Sequence, residues 1–569
     1  MIQRVAMHQT TGQNEHSAPT CRHRGVVIIV VTIVIVLVSL AAYGFLTLMS
    51  DENMAAAARG DQLQAEAMAA SGREYLAALL ETPRAGRPEG AEYGDLPDVF
   101  GPIVVDTDET EDVSLAEQPV RQGRFCILTG QVSTPDQTSG VPESSWRRGY
   151  VNESAKLNLV TLALWDRRFS GFGHEALMNL PGMDESTADA ILDWIDPDNK
   201  QRPLGAEADY YSGLDPPVTP RNGPPESLEE LLQVRGVTRE RLFGLDLNQN
   251  FRVDDWEAKL AGQEAQTGAT EEVIPWSAFL TVYSGERDVS YEGRPRVQLN
   301  QKDLGKLQSQ LAEVLPPAWA NFIVAYRQYG RYKGSGRAVD ASNYAPNLSR
   351  PGKVRIRSPL DLIGVRVRIP RKKKSRAGGQ GSAQGKGKGK RRGRGKGKAK
   401  DRRPAKSQEF VLTSPFSRDP TQMRDYLPKL MDATTVGTGR PLFGRVNINL
   451  APRTVLLGVP GIDAALVERI LAARSMAPAE EAGRHDPTWL LTEGLVDLAQ
   501  MRRLLPYVTT GGDVGRAQII GFYDRRSPVM RLETVIDATE LPARQVYYKD
   551  LRPLGRGPLD DVLELTKMP

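Results

Sequence analysis

Cysteine and histidine are scarce in this sequence, with two Cys and five His in 569 residues. Cys21 lies near the N-terminus and Cys126 in the body, so an intramolecular disulfide requires that the N-terminal segment stay attached. A Cys/His zinc cluster is not expected from so few ligands. His174 and His485 are isolated and read as structural or surface residues. There is no Walker loop, no HExxH, no GxSxG and no metal-spaced His pair, so no enzyme is expected. The fold must rest on packing, or on hard cations held by oxygen. An even spread of charge is also missing. The formal net charge is +4, but 17 Lys and Arg and a single acid, Asp401, fall between Arg371 and Lys406. The remaining chain carries 57 basic and 69 acidic residues, a net of −12. The body is acidic, which removes the overall-pI argument for nucleic-acid binding.

The composition is otherwise globular, at 40% hydrophobic and 25% charged. The length suggests about three to four domains. Gly25 to Ser50 carries no charge, and Val26 to Met49 is mostly Val, Ile, Leu and Ala. As a helix it spans about 36 Å, enough to cross about 30 Å of hydrocarbon. Arg22 and Arg24 precede it, and Asp51 and Glu52 follow. The positive-inside rule puts the N-terminus in the cytoplasm and the bulk outside. A cleaved secretory signal fits less well, because the apolar run exceeds an h-region. Residues 51–82 are rich in Ala, Glu, Gln, Leu and Met, and the next proline is Pro83. One helix is therefore expected over 26–82, with Gly44, Gly60 and Gly72 as soft points.

A basic leader ending in Arg24-Gly25, an apolar stretch and a long amphipathic helix together resemble the type IV pilin and pseudopilin superfamily. That resemblance implies cutting by a prepilin peptidase between Gly25 and Val26. Most members carry Glu as the fifth mature residue, where this chain has Val30. The general secretion pathway protein K family characteristically lacks that Glu.

Two internal repeats organise the body. Residues 177–195 (LMNLPGMDESTADAILDWI) align without a gap to 456–474 (LLGVPGIDAALVERILAAR). Weaker copies follow at 227–245 and 489–508. A short helix, a Gly-centred hairpin and a second short helix read as tandem helix-hairpin-helix units. Such hairpins often bind DNA phosphate through backbone N–H groups. Here Asp184 and Asp463 occupy the second Gly position and would repel phosphate, so a packing role is expected. Leu180, Met183, Ile191, Val459, Ile462 and Ile470 are the expected core residues. The segments 193–211 (DWIDPDNKQRPLGAEADYY), 221–237 and 444–462 (GRVNINLAPRTVLLGVPGI) resemble the K family more specifically.

Strands are expected at 123–132, 277–285, 354–358, 362–370, 409–414, 516–526, 527–538 and 544–553, where β-formers alternate or cluster. The fold class is α+β: a long N-terminal helix, a small antiparallel pilin-like sheet and an inserted helical domain. The expected organisation begins with a leader at 1–25, the membrane-spanning and amphipathic helix at 26–82 and a pilin-like region at 83–154. It continues with a helical domain at 155–260, mixed strands and helix at 261–370, and a disordered Gly/Lys/Arg insert at 371–406. A second hairpin pair at 407–509 and C-terminal strands at 510–569 complete it. The insert extends a hairpin, and reads either as a tolerated solvated loop or as a contact for an acidic surface.

The only legible site chemistry is oxygen-based. Asp246, Asn248, Asn250, Asp254 and Glu257 fall at the first, third, fifth, ninth and twelfth places of a calcium loop, with the Arg252 carbonyl at the seventh. Phe251 stands at the sixth place, where Gly normally permits positive φ. An Asp/Asn-rich solvated turn reads the same residues without a metal. A second cluster gathers Asp193, Asp196, Asp198, Asn199, Glu207 and Asp209. It also reads as an Asx-rich helix cap, yet its carboxylates would repel one another without a cation. Resemblance to the K family implies calcium at this cluster, with Asp196, Asp198 and Glu207 as ligands.

The resemblance implies a minor pseudopilin of a type II secretion system, at the tip of the pseudopilus and serving protein export across the outer membrane. It would be a single-pass inner-membrane protein with a cytoplasmic N-terminus and a periplasmic body. Its partners would be other minor pseudopilins, through the N-terminal helix, and the prepilin peptidase. The competing readings are a membrane-anchored DNA-binding protein of a competence system and a membrane-tethered enzyme of unknown type.

Overall fold

The computed structural model describes residues 24–92, 94–105, 122–131, 145–260, 274–334, 336–370, 410–476, 484–523 and 527–565. Most of the expected leader, with Cys21, and the basic insert 371–406 lie outside the described residues. The chain divides into two compact units, Met1–Gln64 and Ala65–Pro569.

Helix α1 runs from Arg24 to Glu81. Its apolar stretch from Val26 to Met49 is exposed all round and is long enough to cross a membrane. A helix apolar on every side is stable only in an apolar phase or a protein interior. The Thr32 and Thr47 hydroxyls donate to the Ile28 and Tyr43 carbonyls, at 2.8 and 3.1 Å. These bonds satisfy polar groups that hydrocarbon could not. Gly44, Gly60 and Gly72 leave the helix unbroken, and Pro83 follows its end.

In the second unit, the Ala65–Glu81 part of α1 lies on an antiparallel sheet. The path is β1 (Ile103–Val105), β2 (Gly123–Gly130), β5 (Val514–Phe522), β6 (Met530–Asp537) and β7 (Arg544–Asp550). Strand β3 (Trp146–Arg148) pairs with β2, and β4 (Val151–Asn152) pairs with β5. Sequence-distant strands are thus central neighbours, with Ile519 opposite Ile127 and Leu532. One face buries Phe125, Ile127, Ala517, Ile519 and Leu532 against Ala65, Ala69, Leu76 and Leu80 of α1. The other buries Cys126, Leu128, Ile520 and Phe522 under a C-terminal helix, Leu559–Leu565, whose region was expected to hold strands.

The approach of α1 to the sheet is close because small residues line it. A Cβ on Gly521 would lie 2.3 Å from the Ala65 carbonyl oxygen and 2.4 Å from the Ala69 nitrogen. Both obstacles are backbone and cannot swing away.

Residues 157–508 contribute to one further core that contains both hairpin pairs. Leu180, Met183, Ile191, Val459, Ile462 and Ile470 are all buried in it. The expected strand at 277–285 is reduced to Leu280–Thr281 and the start of Gly285–Glu286, because Trp276–Ala278 forms a 3-10 turn. The segment 354–358 forms no strand: Val354 bonds the Arg327 carbonyl and Ile356 bonds Asn300 instead. Arg366–Ile369 and Phe410–Thr413 do pair antiparallel, so the insert joins neighbouring strands as expected.

Two polar networks bind helix, sheet and helical body. The last carbonyls of α1 are capped by arginines. Arg87 donates to the Leu80 and Thr82 oxygens at 2.8 and 3.1 Å, and Arg287 to the Glu81 and Leu80 oxygens at 3.0 and 3.1 Å. Asp513, buried just before β5, pairs with both guanidinium groups at 2.5 and 3.2 Å. In the second network, buried Glu153 pairs with Lys156 and Arg516, each at 3.1 Å, and accepts the Thr281 hydroxyl. Arg516 continues to Glu533 at 3.0 Å. Burial alone would raise the Glu153 carboxyl, but Lys156 and Arg516 hold it down to about 2.

Gly521→Val should therefore lower stability by about 3 kcal/mol, as overpacking against backbone does. Gly60→Ala, at a helical position with no heavy atom within 4 Å of a new Cβ, should be neutral or stabilising. Chemical denaturation of both variants checks the contrast; equal effects would refute the close docking.

Glu153→Gln should cost about 3 kcal/mol at neutral pH, because it leaves two buried cations short of a partner. A folded value below the unfolded one stabilises above the unfolded value and loses that contribution as pH falls toward the folded value. The gap between variant and wild type should therefore narrow from about pH 4.5 to about pH 2. A gap that stays constant in acid denaturation would refute the assignment.

Candidate functional site

The acidic cluster is assembled at one helix end. Glu185–Ile195 places Asp193 in its last turn, and Asp196 is its C-terminal cap. The chain then turns through Asx geometry: the Asp198 N–H donates to Asp196 at 3.3 Å and the Lys200 N–H to Asp198 at 2.9 Å. That turn returns Arg202 over the helix end. Its guanidinium meets Asp193 at 2.7 Å, Asp196 at 2.6 Å and Asp166 at 3.0 Å. Asp166 also accepts the Gly173 N–H at 2.8 Å. Arg202 and Asp166 are the members that sequence reasoning missed. The only signal was a guanidinium inside an acid-rich turn.

Glu207 completes the cluster. It is 5% exposed, and neither of its carboxylate oxygens has a hydrogen-bond partner. Its carboxyl is pushed up to about 7, first by burial and then by Asp193, Asp196 and Asp198. Burial also raises Asp193. Of the other expected members, Asp209 is exposed and Asn199 accepts a bond from Asn222 at 2.6 Å. Burial and neighbours of its own sign thus both oppose ionisation of Glu207.

The second site is the loop from Asp246 to Glu257. Phe251, at the sixth place, has φ +72°, so the backbone adopts there the left-handed conformation that Gly normally supplies. The Phe251 ring lies against Gly130 of β2, and tertiary contact offsets a local cost of about 1–2 kcal/mol. The side-chain oxygens turn inward and are met by the loop itself. Asp246 accepts the Asn250 and Phe251 N–H groups at 3.1 and 2.7 Å. Glu257 accepts those of Leu247, Asn248 and Asp254 at 2.8 to 3.0 Å. Asp254 accepts the Asn248 and Asn250 amides at 2.8 and 3.0 Å. Arg252 reaches Asp254 at 3.0 Å, and burial pushes the Asp246 carboxyl up to about 6. The outer side of the loop faces the sheet, where fully buried Arg531 of β6 donates to the Asn248 carbonyl at 2.9 Å and to that of Gln249. As the side chains stand, no three His, Cys, Asp or Glu among the described residues are grouped as ligands of one ion. Arg202 and the loop's own amides hold them.

The hairpins repeat one local design. Gly182, Gly236, Gly461 and Gly494 have positive φ and are followed by Asp184, Thr238, Asp463 and Asp497. Each of those side chains accepts an N–H from the next helix, including Thr187 at 2.9 Å, Leu466 at 2.8 Å and Gln500 at 2.7 Å. Asp184 also accepts from Ser186, Thr187 and Arg241, which hold its carboxyl well below the usual range. Three of these four helix N-termini are thus capped by a carboxylate of the chain and one by the Thr238 hydroxyl. His174 bonds Asp189 at 2.8 Å, and exposed His485 lies against Tyr291.

Residues 155–245, which contain the acidic cluster and the first hairpin pair, match the family model of type II secretion system protein K. No curated protein matches the chain. Among solved structures, the chain is similar to the crystal structure of the GspK-GspI-GspJ complex from the type 2 secretion system of enterotoxigenic Escherichia coli. The identity is 10% and the TM-score 0.33, over 86% of this chain and 97% of that one. The chain thus combines a segment matching the type II secretion system protein K model with an apolar N-terminal helix and an antiparallel sheet.

Proposed function

We propose that this chain is the first subunit of a heteromeric pseudopilus tip. The observation that carries the reading is the exposed apolar stretch Val26–Met49 with Val30 at its fifth place. An unpaired charge inside an apolar helix bundle is expensive. A subunit added below another offers a carboxylate to the amine of its neighbour. Val30 offers none, so this chain suits the position that no subunit precedes. The large helical body supports the same place, since it could not stack repeatedly along a thin filament. The N-terminus is cytoplasmic, the helix spans the inner membrane and the body is periplasmic. A prepilin peptidase cuts between Gly25 and Val26, and residues 26–82 contact other minor pseudopilins. The role is structural, not catalytic.

Single cysteines placed along residues 30–60 test this reading in membranes. Discrete heteromeric adducts are expected, from a chain whose mass begins at Val26. Regular self-crosslinked ladders would refute the tip position.

Calcium is the proposed ligand of both oxygen sites, with Asp196, Asp198 and Glu207 in one and Asp246, Asn248, Asn250, Arg252, Asp254 and Glu257 in the other. The support is the unpartnered Glu207 carboxylate and the positive φ of Phe251. An ion that binds only the folded state at 100 times its Kd adds about 2.7 kcal/mol. Melting should therefore rise in millimolar calcium over chelator. Glu207→Gln and Glu257→Gln should each remove part of that rise, and no rise in the wild type would refute the metal.

A further inference from the structure

Positive charge concentrates on one lobe of the helical body. Ten Lys and Arg fall between Arg327 and Pro370, against two acids, Asp340 and Asp361. Three basic runs of that segment meet at the turn after the helix Pro317–Tyr329. A Cβ on Gly330 would lie 3.0 Å from the Val354 side chain, and the Tyr332 N–H donates to the Arg366 carbonyl at 2.7 Å. The run from Lys353 to Arg357 is fixed through its backbone. Lys353 and Val354 donate to the Arg327 carbonyl at 2.8 and 3.0 Å, and Ile356 to Asn300 at 2.9 Å. Ile356 is buried, which leaves Lys353, Arg355 and Arg357 exposed. The strand Arg366–Ile369 repeats the alternation: Val367 and Ile369 are buried, so Arg366 and Arg368 face outward. Arg331 and Lys333 are exposed on the joining turn.

The chain supplies these charges with no counter-charge. Arg331, Lys333, Lys353, Arg355, Arg357 and Arg366 form no ion pair among the described residues. Asp361 faces Arg502 at 3.6 Å and accepts the Arg357 and Ser358 backbone N–H groups at 3.1 and 3.2 Å. Gathered charges of one sign repel one another in the folded chain and attract a polyanion to it. Leu348 is the one large apolar side chain exposed between Arg327 and Pro370 among the described residues. The surface therefore lacks the apolar and aromatic centre of a protein–protein interface. The sequence continues the same charge beyond Ile369, with 17 Lys and Arg from Arg371 to Lys406.

We propose that this folded basic surface binds the phosphates of an anionic phospholipid bilayer, through the ammonium and guanidinium groups of Lys353, Arg355, Arg357 and Arg366. The choice of lipid over nucleic acid rests on the membrane anchoring proposed above, since a chain held by Val26–Met49 meets lipid phosphate before any other polyanion. Each basic side chain near such a surface strengthens binding about fivefold, and the attraction falls off within a Debye length.

The test holds the full chain in nanodiscs of phosphatidylcholine and measures its capture of separate vesicles by flotation. Vesicles of equal phosphatidylglycerol and phosphatidylcholine should be captured and pure phosphatidylcholine vesicles should not, with capture falling steeply from about 0.05 to about 0.2 M salt. Arg355→Gln, Arg357→Gln and Arg366→Gln combined should weaken capture about a hundredfold. The melting temperature should stay unchanged, because no ion pair is lost. A second chain, with every Lys and Arg of residues 371–406 changed to Gln, isolates the folded surface. It should still capture the anionic vesicles, and should lose them when the three substitutions are added. No capture by the wild type, or equal capture of both vesicles, would overturn the proposal. So would full capture by the triple variant with none by the second chain, which would assign binding to residues 371–406. Tighter binding of a mixed-sequence DNA duplex at the same salt would overturn the lipid assignment. Release of the chain from membranes by alkaline carbonate would overturn the anchoring instead.

Discussion

The closed C-terminus of α1 is the constraint on which the rest of the soluble unit depends. A helix end leaves four carbonyls without partners, and burying them unsatisfied is costly. Arg87 comes from the segment just after the helix and Arg287 from the helical body, while Asp513 leads into the central strand β5. Three parts of the chain, the outer two 426 residues apart in sequence, therefore meet at one buried charge cluster. Asp513 balances the two arginines and burial alone would raise its carboxyl, yet Arg87 and Arg287 keep it ionised. Removing any member leaves a charge or a carbonyl without its partner.

Given that anchor, the small residues Ala65, Ala69, Gly72 and Gly521 let α1 lie almost backbone to backbone on the sheet. The helical body then joins the opposite sheet face through Glu153, Arg516 and Arg531. The two oxygen-rich sites differ in consequence. The acidic cluster sits wholly within the helical body and is organised by Arg202. The loop at 246–257 lies between body and sheet, with its carbonyls held by Arg531 and its sixth residue wedged on Gly130. The same oxygen chemistry thus occurs once as an internal element and once as part of a junction.

Much was legible before any coordinates. Val26–Met49 read as a membrane-spanning helix, and the structure gives one helix there that is long and apolar enough to cross a membrane. The hairpins showed through Pro-Gly at a fixed place before a periodic helix, and their apolar residues are buried as expected; the capping role of Asp184 and Asp463 was visible only in structure. Strand reading failed where β-formers lined the body's core without pairing. Val354 and Ile356 donate their N–H groups to Arg327 and Asn300 instead of to a neighbouring strand, so β propensity was overridden by tertiary hydrogen bonds. The C-terminal helix Leu559–Leu565 escaped notice because seven residues show too little periodicity.

The sequence by itself determined the long apolar N-terminal helix, the hairpin repeats and the α+β class. Each is written in contiguous residues whose spacing or composition admits few conformations. Only the tertiary structure decided that β2 pairs with β5, that both hairpin pairs share a core, and that Arg202 divides the acidic cluster while Glu207 is left without a donor. Those outcomes depend on which distant groups must be buried together. A buried charge or carbonyl accepts whichever partner the packed chain brings within hydrogen-bond reach, and local sequence does not encode that choice.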